Sequence, residues 1–404
     1  MIGVIADDLT GAAEVAGAAF AAGLSAEVWT AESGVPGESA FGAAGWSSGG
    51  ADVVVLDTDT RWRSPEEAGS RVEHAADALR RERPERVFKK VDSLLRGHVV
   101  REVEVVRRAF GLSSTLLVPA HPAIGRTIER GRYYIYGVPL HESPLARDPG
   151  HPRPSSCVDR LLGARAGTPI RLPDATSVND LRRLASELDP DTLAAGSAAF
   201  FEAILFGRAE SAREEAGGRK PGRVDVAPTG PSLFVCGSLS AWRDGRAGEA
   251  ARYDVPVFRL PDEMLVENGD LKAARADFRR DVEARRDGGS ALIAIGRSTE
   301  VEGVAPEVLV GRLAEAAVGL APAFRSVYLE GGATAAAFLK QMAWTHLRVA
   351  GVVAPGVVTM TPVDATTPIY VTTKSGSYPW PDRVWDRESE AGPPRARWLR
   401  REDP

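Results

Sequence analysis

The chain has 404 residues, 44% hydrophobic and 26% charged, with a formal net charge of −5 at pH 7. That length favours two domains over one, and the balance excludes a disordered chain or one built around a basic nucleic-acid footprint. Cys157 and Cys236 stand far apart with no Cys/His cluster, so neither a disulfide framework nor a structural zinc site is supported. The first apolar run lacks a basic flank, and no run approaches the roughly 18 residues of a membrane span, so a soluble, cytoplasmic protein is expected.

In chain order, "GVIAD" reads as a buried strand followed by a helix over 11–22. "DVVVLDTDT" precedes a helix over 65–82, "RVFKKVDS" one over 98–110, and "STLLVPA" one over 179–188. Residues 207–231 are polar, rich in Gly and Pro, and carry no apolar period, which suits a linker or a surface insertion. The pattern restarts with "SLFVCGSLS", then a helix over 243–252, "VPVFRL", a helix over 271–286, "ALIAIG", a helix over 308–318, "SVYLEGG", a helix over 334–344, and "PIYVTTKSG". Strands apolar on both faces and separated by helices predict an α/β protein. Two domains are expected, 1–206 and 232–404, each with a largely parallel sheet covered by helices.

Ligands of such sheets gather at the carboxyl ends of the strands. The first run delivers Asp7, Asp8 and Thr10, the second Asp57, Asp59 and Arg61. The third delivers Lys90, Asp92, Ser93 and Arg96, and the fourth leads to His121, Arg126 and Arg130. Arg binds carboxylate or phosphate bidentately, Asp accepts a hydroxyl proton or holds a metal, and Ser93 with the following N–H groups suits an anion. Only six of the 50 basic residues are lysine, so a Lys kept at a turn, such as Lys90 or Lys374, marks a need for a compact ammonium.

The second half ends its strands in glycine turns instead. "CGSLS" carries Ser238 and Ser240. "EGGATAAAFL" carries Gly331 and Gly332, with Thr334 as the expected helix cap, and "TTKSGSY" carries Lys374 and Gly376. Three such turns on one sheet suggest a polyphosphate cradle at helix N-termini. No P-loop and no G-x-G-x-x-G after a strand exist, which argues against a P-loop kinase and an ordinary dehydrogenase. G-x-S-x-G and H-E-x-x-H are also missing.

Taken together, "IADDLTGAAEVAG", "KKVDSLLRG", "VPAHPAIGRTIERGRYYIYGVPLHESPLARDP", "EGGATAAAFL" and "KSGSY" resemble, in order and over nearly the whole chain, the four-carbon acid sugar kinase family. The resemblance implies a sugar-acid-binding N-terminal domain and a nucleotide-binding C-terminal domain with the active site in the cleft between them. It implies phosphorylation of threonate, erythronate or 3-oxo-tetronate by ATP, with Mg²⁺ carried on the nucleotide and no dedicated metal ligands. Carried over by motif, Asp8, Thr10, Lys90, Asp92, Ser93, Arg96 and Arg126 form the sugar-acid side. Ser238, Ser240, Gly331, Gly332, Ala333, Thr334 and Gly376 form the nucleotide side. Arg61 and Lys374 join the two sides from their strand ends.

On this reading Arg96 and Arg126 grip the substrate carboxylate, Asp8 or Asp92 takes the hydroxyl proton, and Lys90 balances charge. Asp8 is expected to face the cleft and Asp7 to serve the structure. Ala333 stands where the family commonly has an acid, Leu94 where it has Thr, and Pro379 where the last motif ends in Gly. The alternatives are a diverged member acting on another hydroxy acid or without ordinary ATP use, and a non-catalytic sugar-acid-binding protein. The expected partners are the small acid and ATP, with no nucleic acid and no membrane; a homodimer is compatible with the sequence.

Overall fold

The computed structural model describes residues 1–31, 49–147, 152–163, 167–215, 230–266, 271–297, 301, 303–363, 365, 369–375 and 378–385. The first half contains strands β1 (Ile2–Ala6), β2 (Ala26–Thr30), β3 (Val53–Asp57), β4 (Arg86–Lys90), β5 (Ser114–Val118), β6 (Arg126–Glu129), β7 (Arg132–Ile135), β8 (Val138–Pro139), β9 (Ile170–Arg171) and β10 (Thr192–Gly196). Its helices are α1 (Leu9–Ala21), α2 (Pro65–Arg81), α3 (Val99–Ala109), α4 (Val158–Leu162), α5 (Val178–Ser186) and α6 (Ala198–Glu215). The second half adds β11 (Ser232–Cys236), β12 (Val257–Arg259), β13 (Ala291–Ala294), β14 (Ser326–Glu330), β15 (His346–Ala354), β16 (Val357–Pro362) and β17 (Tyr370–Lys374). Its helices are α7 (Leu239–Arg243), α8 (Arg246–Arg252), α9 (Leu271–Arg285), α10 (Pro306–Leu320) and α11 (Gly332–Gln341).

Local chemistry explains the helix starts. Ser64 caps α2 by accepting from Glu67 N, Pro65 opens the helix, and Glu66 and Glu67 face its positive end. Ser177 and Asp180 form a capping box on α5. At α1 the cap is Asp8, whose carboxylate accepts from Gly11 N.

The expected α/β class is what the chain adopts. The two sheets, however, are joined into one of fourteen strands, in the order β12-β13-β11-β14-β17-β16-β15-β2-β3-β1-β4-β10-β5-β9. The first-half block is parallel throughout. In the second half β12, β13, β11, β14 and β17 are parallel, and β16 and β15 are antiparallel insertions. The seam is a short antiparallel pairing of β15 with β2, Leu347 opposite Val28. Hydrogen-bond direction therefore makes β14 formally opposite to β1, six strands away. A twist of roughly 20–25° per strand accumulates to roughly 120–150° over that span, which turns the carboxyl end of β14 back toward that of β1.

Burial follows the same plan. One face carries a core that runs through both halves, with Leu9, Val15, Phe200, Leu233, Leu313 and Phe338 in a single cluster. The other face is split between a first-half cluster around Leu79, Val103 and Tyr133 and a second-half cluster around Phe234, Trp380 and Trp385. Helix α1 lies in the shared layer: a Cβ on its Gly17 would meet Val358 of β16 at 2.5 Å.

Some expectations shift. The stretch expected as a linker from 207 begins inside α6, which runs to Glu215, because Phe200, Phe201, Ile204 and Leu205 pack its first turns into the core. Residues 216–229 of that stretch lie outside the described residues. Strands β2, β9, β10, β15 and β16 and the hairpin β6–β8 are additions to the nine strands expected.

Candidate active site

The first strand end is a charge lock. Arg61 Nε donates to Asp7 Oδ2 at 2.8 Å, and Arg61 Nη2 donates to Asp8 Oδ1 at 2.6 Å. The Asp7 carbonyl also accepts from Thr60 N and Arg61 N, which pins the loop after β3 to the end of β1. Thr10 Oγ1 donates to Asp8 Oδ2 at 2.5 Å. Burial alone would raise the Asp8 carboxyl, but Arg61 and Lys90, with the Thr10 hydrogen bond, hold it below its usual value. Arg61, expected at the substrate, is paired with the two aspartates. Burial works against its charge, but the three carboxylates Asp7, Asp8 and Asp92 outweigh it and keep Arg61 protonated.

The end of β4 supplies the opposite arrangement. Asp92 is gripped by Arg96 through Nε at 2.8 Å and Nη2 at 3.0 Å, and accepts from the N–H groups of Leu94 and Arg96. Arg61 Nη2 lies 3.8 Å from its other oxygen. Burial opposes ionisation, yet Arg96 and Arg61 hold the Asp92 carboxyl well below its usual range. Arg126 Nη1 donates to Ser93 Oγ, and the buried Tyr133 hydroxyl donates to the Ser93 carbonyl, so the hairpin β6–β7 braces the same loop. Of the two lysines, Lys89 points away to pair with Glu102 at 2.8 Å. Lys90 points in: its Nζ donates to Val91 O at 3.0 Å and lies 3.9 Å from Glu14 Oε2.

In the second half, Gly331 (φ +98°) makes the turn out of β14, and α11 begins at Gly332. Thr334, expected to cap α11, sits inside its first turn; Gly331 holds the cap position without a side-chain bond. Thr334 instead packs on the neighbouring turn, where a Cβ on Gly237 would lie 2.1 Å from Thr334 Oγ1. Ser238 caps the short α7 and bonds Ser240 at 2.9 Å. Ala333 is exposed beside them. Lys374 is buried, 3.1 Å from Glu330 and donating to Tyr378 O at 2.8 Å. Burial would raise Glu330, but Lys374 and the bidentate Arg246 keep it ionised. Lys374 is thus paired within the turn, with Glu330 and the Tyr378 carbonyl. Gly376 lies outside the described residues.

The two sides meet. A Cβ on Gly332 would lie 3.3 Å from Asp8 Oδ2 and 3.4 Å from Thr10 Oγ1. The first turn of α11, with its unpaired N–H groups and positive dipole end, therefore abuts the carboxylate that closes β1. Asp8 faces this junction, and Asp7 is turned toward Arg61. Sequence reasoning passed over Glu14, Tyr378, Glu330 and Arg246. Glu14 had a signal: it follows Thr10 by four residues and so shares its face of α1. The other three depend on tertiary pairing. Among the described residues no group of three or more His, Cys, Asp or Glu side chains could hold a metal ion, and no helix is long and apolar enough to cross a membrane.

Comparison with known proteins agrees with this division. Residues 2–204 match a sugar-binding N-terminal domain and residues 233–378 a nucleotide-binding C-terminal domain. A D-threonate kinase of Cupriavidus necator is 30% identical, covering 95% of this chain and 96% of the relative. A 3-oxo-tetronate kinase of Methylobacterium radiotolerans is 28% identical, with 93% and 96% covered. Among solved structures, a Salmonella typhimurium protein superposes with a TM-score of 0.74 at 20% identity, over 96% of this chain and 98% of the other. That likeness supports the fold.

Proposed function

The chain belongs to the four-carbon acid sugar kinase family, and from that premise we propose that it transfers the γ-phosphoryl group of ATP to a hydroxyl of a small sugar acid such as threonate, erythronate or 3-oxo-tetronate. The observation that carries the reading is the approach of Gly332 to Asp8. It sets a phosphate-competent helix start directly against a carboxylate that can receive a hydroxyl proton.

The donor set fits a nucleotide. A glycine start on the ten-residue α11 presents the N–H groups of its first turn, the kind of group that binds phosphate oxygens. Mg–ATP would supply the phosphoryl group and the cation that offsets its charge, the cation arriving on the nucleotide.

In the reaction the substrate hydroxyl oxygen bonds to the γ-phosphorus as the bond to the β-γ bridging oxygen breaks, and ADP departs. Asp8 accepts the hydroxyl proton. Its lowered basicity suits a loose transition state, in which the nucleophile needs orientation more than deprotonation. Asp8 is preferred to Asp92 for its place beside Gly332, and Asp92, gripped bidentately by Arg96, holds that guanidinium in place. Arg96 and Arg126, flanking Ser93, grip the acid's carboxylate, and Lys90 offsets charge between Asp8 and the moving phosphoryl. Holding two substrates in line is worth roughly 7–11 kcal/mol of barrier.

Calorimetry of the full chain with ATP–Mg²⁺ tests the reading. Saturable binding, lost in Gly332→Val, is expected. An absence of binding removes the kinase and favours the non-catalytic sugar-acid-binding alternative.

A further inference from the structure

Three polar groups that the mechanism above does not use, Glu14, Tyr378 and His121, cluster beside Lys90, and Glu14 is the one that reaches it. Glu14 projects from α1 with Oε2 3.9 Å from Lys90 Nζ. Its other oxygen, Oε1, accepts from the Tyr378 hydroxyl at 2.7 Å, and Tyr378 comes from the second half. His121, after β5, closes the group: Nδ1 lies 3.9 Å from Glu14 Oε1, and Nε2 lies 3.4 Å from the Tyr378 hydroxyl.

Tyr378 is itself fixed on three sides. Its backbone carbonyl accepts from Lys374 Nζ, which pairs with Glu330 beneath the glycine turn. Its N–H donates to Ser375 O at 3.1 Å. Its ring lies on Gly356, a residue at φ +69° where a Cβ would come within 2.2 Å of the ring. The side chain therefore has one place to go, across the seam and onto Glu14. Glu14 in turn is only 14% exposed and has few other partners to choose from.

We propose that Glu14 is the positioning residue that aims the Lys90 ammonium, and that Tyr378, reaching over from the second half, holds Glu14 for that task through its 2.7 Å hydrogen bond. The contact links the glycine-turn side to the carboxylate side through Glu330, Lys374, Tyr378, Glu14 and Lys90, so Lys90 is correctly directed only when the halves are docked. The role of Lys90 in this inference rests on the kinase reading; the positioning itself does not.

The test uses the full chain with ¹³C-labelled lysine. Six lysines give a spectrum in which Lys90 is assigned by a Lys90→Arg variant. In Tyr378→Phe, which keeps the ring on Gly356, the Lys90 Cε resonance is expected to move in the same direction as in Glu14→Gln, while Lys272 and Lys340 stay in place. Turnover with ATP and a four-carbon acid is expected to fall about tenfold in Glu14→Gln, as for removal of an outer-shell partner. KM should change less than the turnover does, Glu14→Asp should restore part of the loss, and the double variant should be no worse than Glu14→Gln alone.

A Lys90 resonance unmoved in Tyr378→Phe overturns the proposal, as does unchanged turnover in Glu14→Gln of an active enzyme. A protein without any turnover whose Lys90 resonance nonetheless moves supports the positioning and overturns the kinase reading alone.

Discussion

The two halves of the site build their strand ends by different means. The first half uses side chains, with Arg61, Lys90, Arg96 and Arg126 set against Asp7, Asp8 and Asp92. The second half uses backbone, a Gly331–Gly332 turn that opens α11, while its charged residues Arg246, Glu330 and Lys374 are locked together underneath. A side-chain site can be tuned by pH and by single charges. A backbone site is all shape, and it is disrupted by adding atoms.

The predictions press on that contrast. Asp8→Asn should lower kcat about 10²–10⁴-fold, the range for loss of a proton acceptor, while nucleotide binding by calorimetry persists. A larger loss of binding than of turnover would make Asp8 a holding residue and erase the contrast. Gly332→Val, which pushes atoms toward Asp8 and Thr10, should abolish the thermal stabilisation by ATP–Mg²⁺, worth about 2.7 kcal/mol at 100 times Kd, beyond the modest drop in unliganded melting temperature that overpacking brings. Arg96→Lys keeps the charge but loses the fork on Asp92, and should raise KM for the acid about tenfold with little change in KM for ATP.

The smallest effect is on stability. Burial and the neighbouring Asp59 push the Asp57 carboxyl well above its usual value. A raised folded pKa contributes stability below the unfolded value of about 3.9 and loses it as pH rises through the folded value. Asp57→Asn should therefore raise the melting temperature at neutral pH and not at pH 3. Asp8 and Asp92, both lowered, carry the opposite sign: their stability is present above the unfolded pKa and is lost as pH falls through the folded one. Asp92→Asn should thus lower the melting temperature at neutral pH, and the gap to wild type should narrow as pH falls.

The same contrast explains what could be read without a structure. "ADD", "KKVDSLLRG" and the apolar strands announce themselves, because charge beside a buried run is a compositional event. The α/β class was legible in that way, whereas a cleft shared by the two sides was implied only by the family resemblance. The β15–β2 seam was not: "AEVWT" and "HLRVAGVVA" are short or Gly-interrupted, and their pairing is set by which edges face each other. Arg61 and Lys374 were legible as charges at strand ends, but their pairing with Asp7, Asp8 and Glu330 was not, since partner choice is tertiary. Thr334 read as a cap because its chemistry suits one, yet Gly331 can take φ +98° and starts the helix earlier. Glu14 and Tyr378 lie more than 360 residues apart, beyond any local pattern.

Acid-dependent release of ADP is the most direct test of the claim that an acid and a nucleotide meet at the Asp8–Gly332 junction. With threonate, erythronate and 3-oxo-tetronate screened in turn, the account predicts ADP release that requires both ATP–Mg²⁺ and at least one of these acids, and that collapses in Asp8→Asn. ADP release indifferent to all the acids, or undiminished in Asp8→Asn, would contradict it.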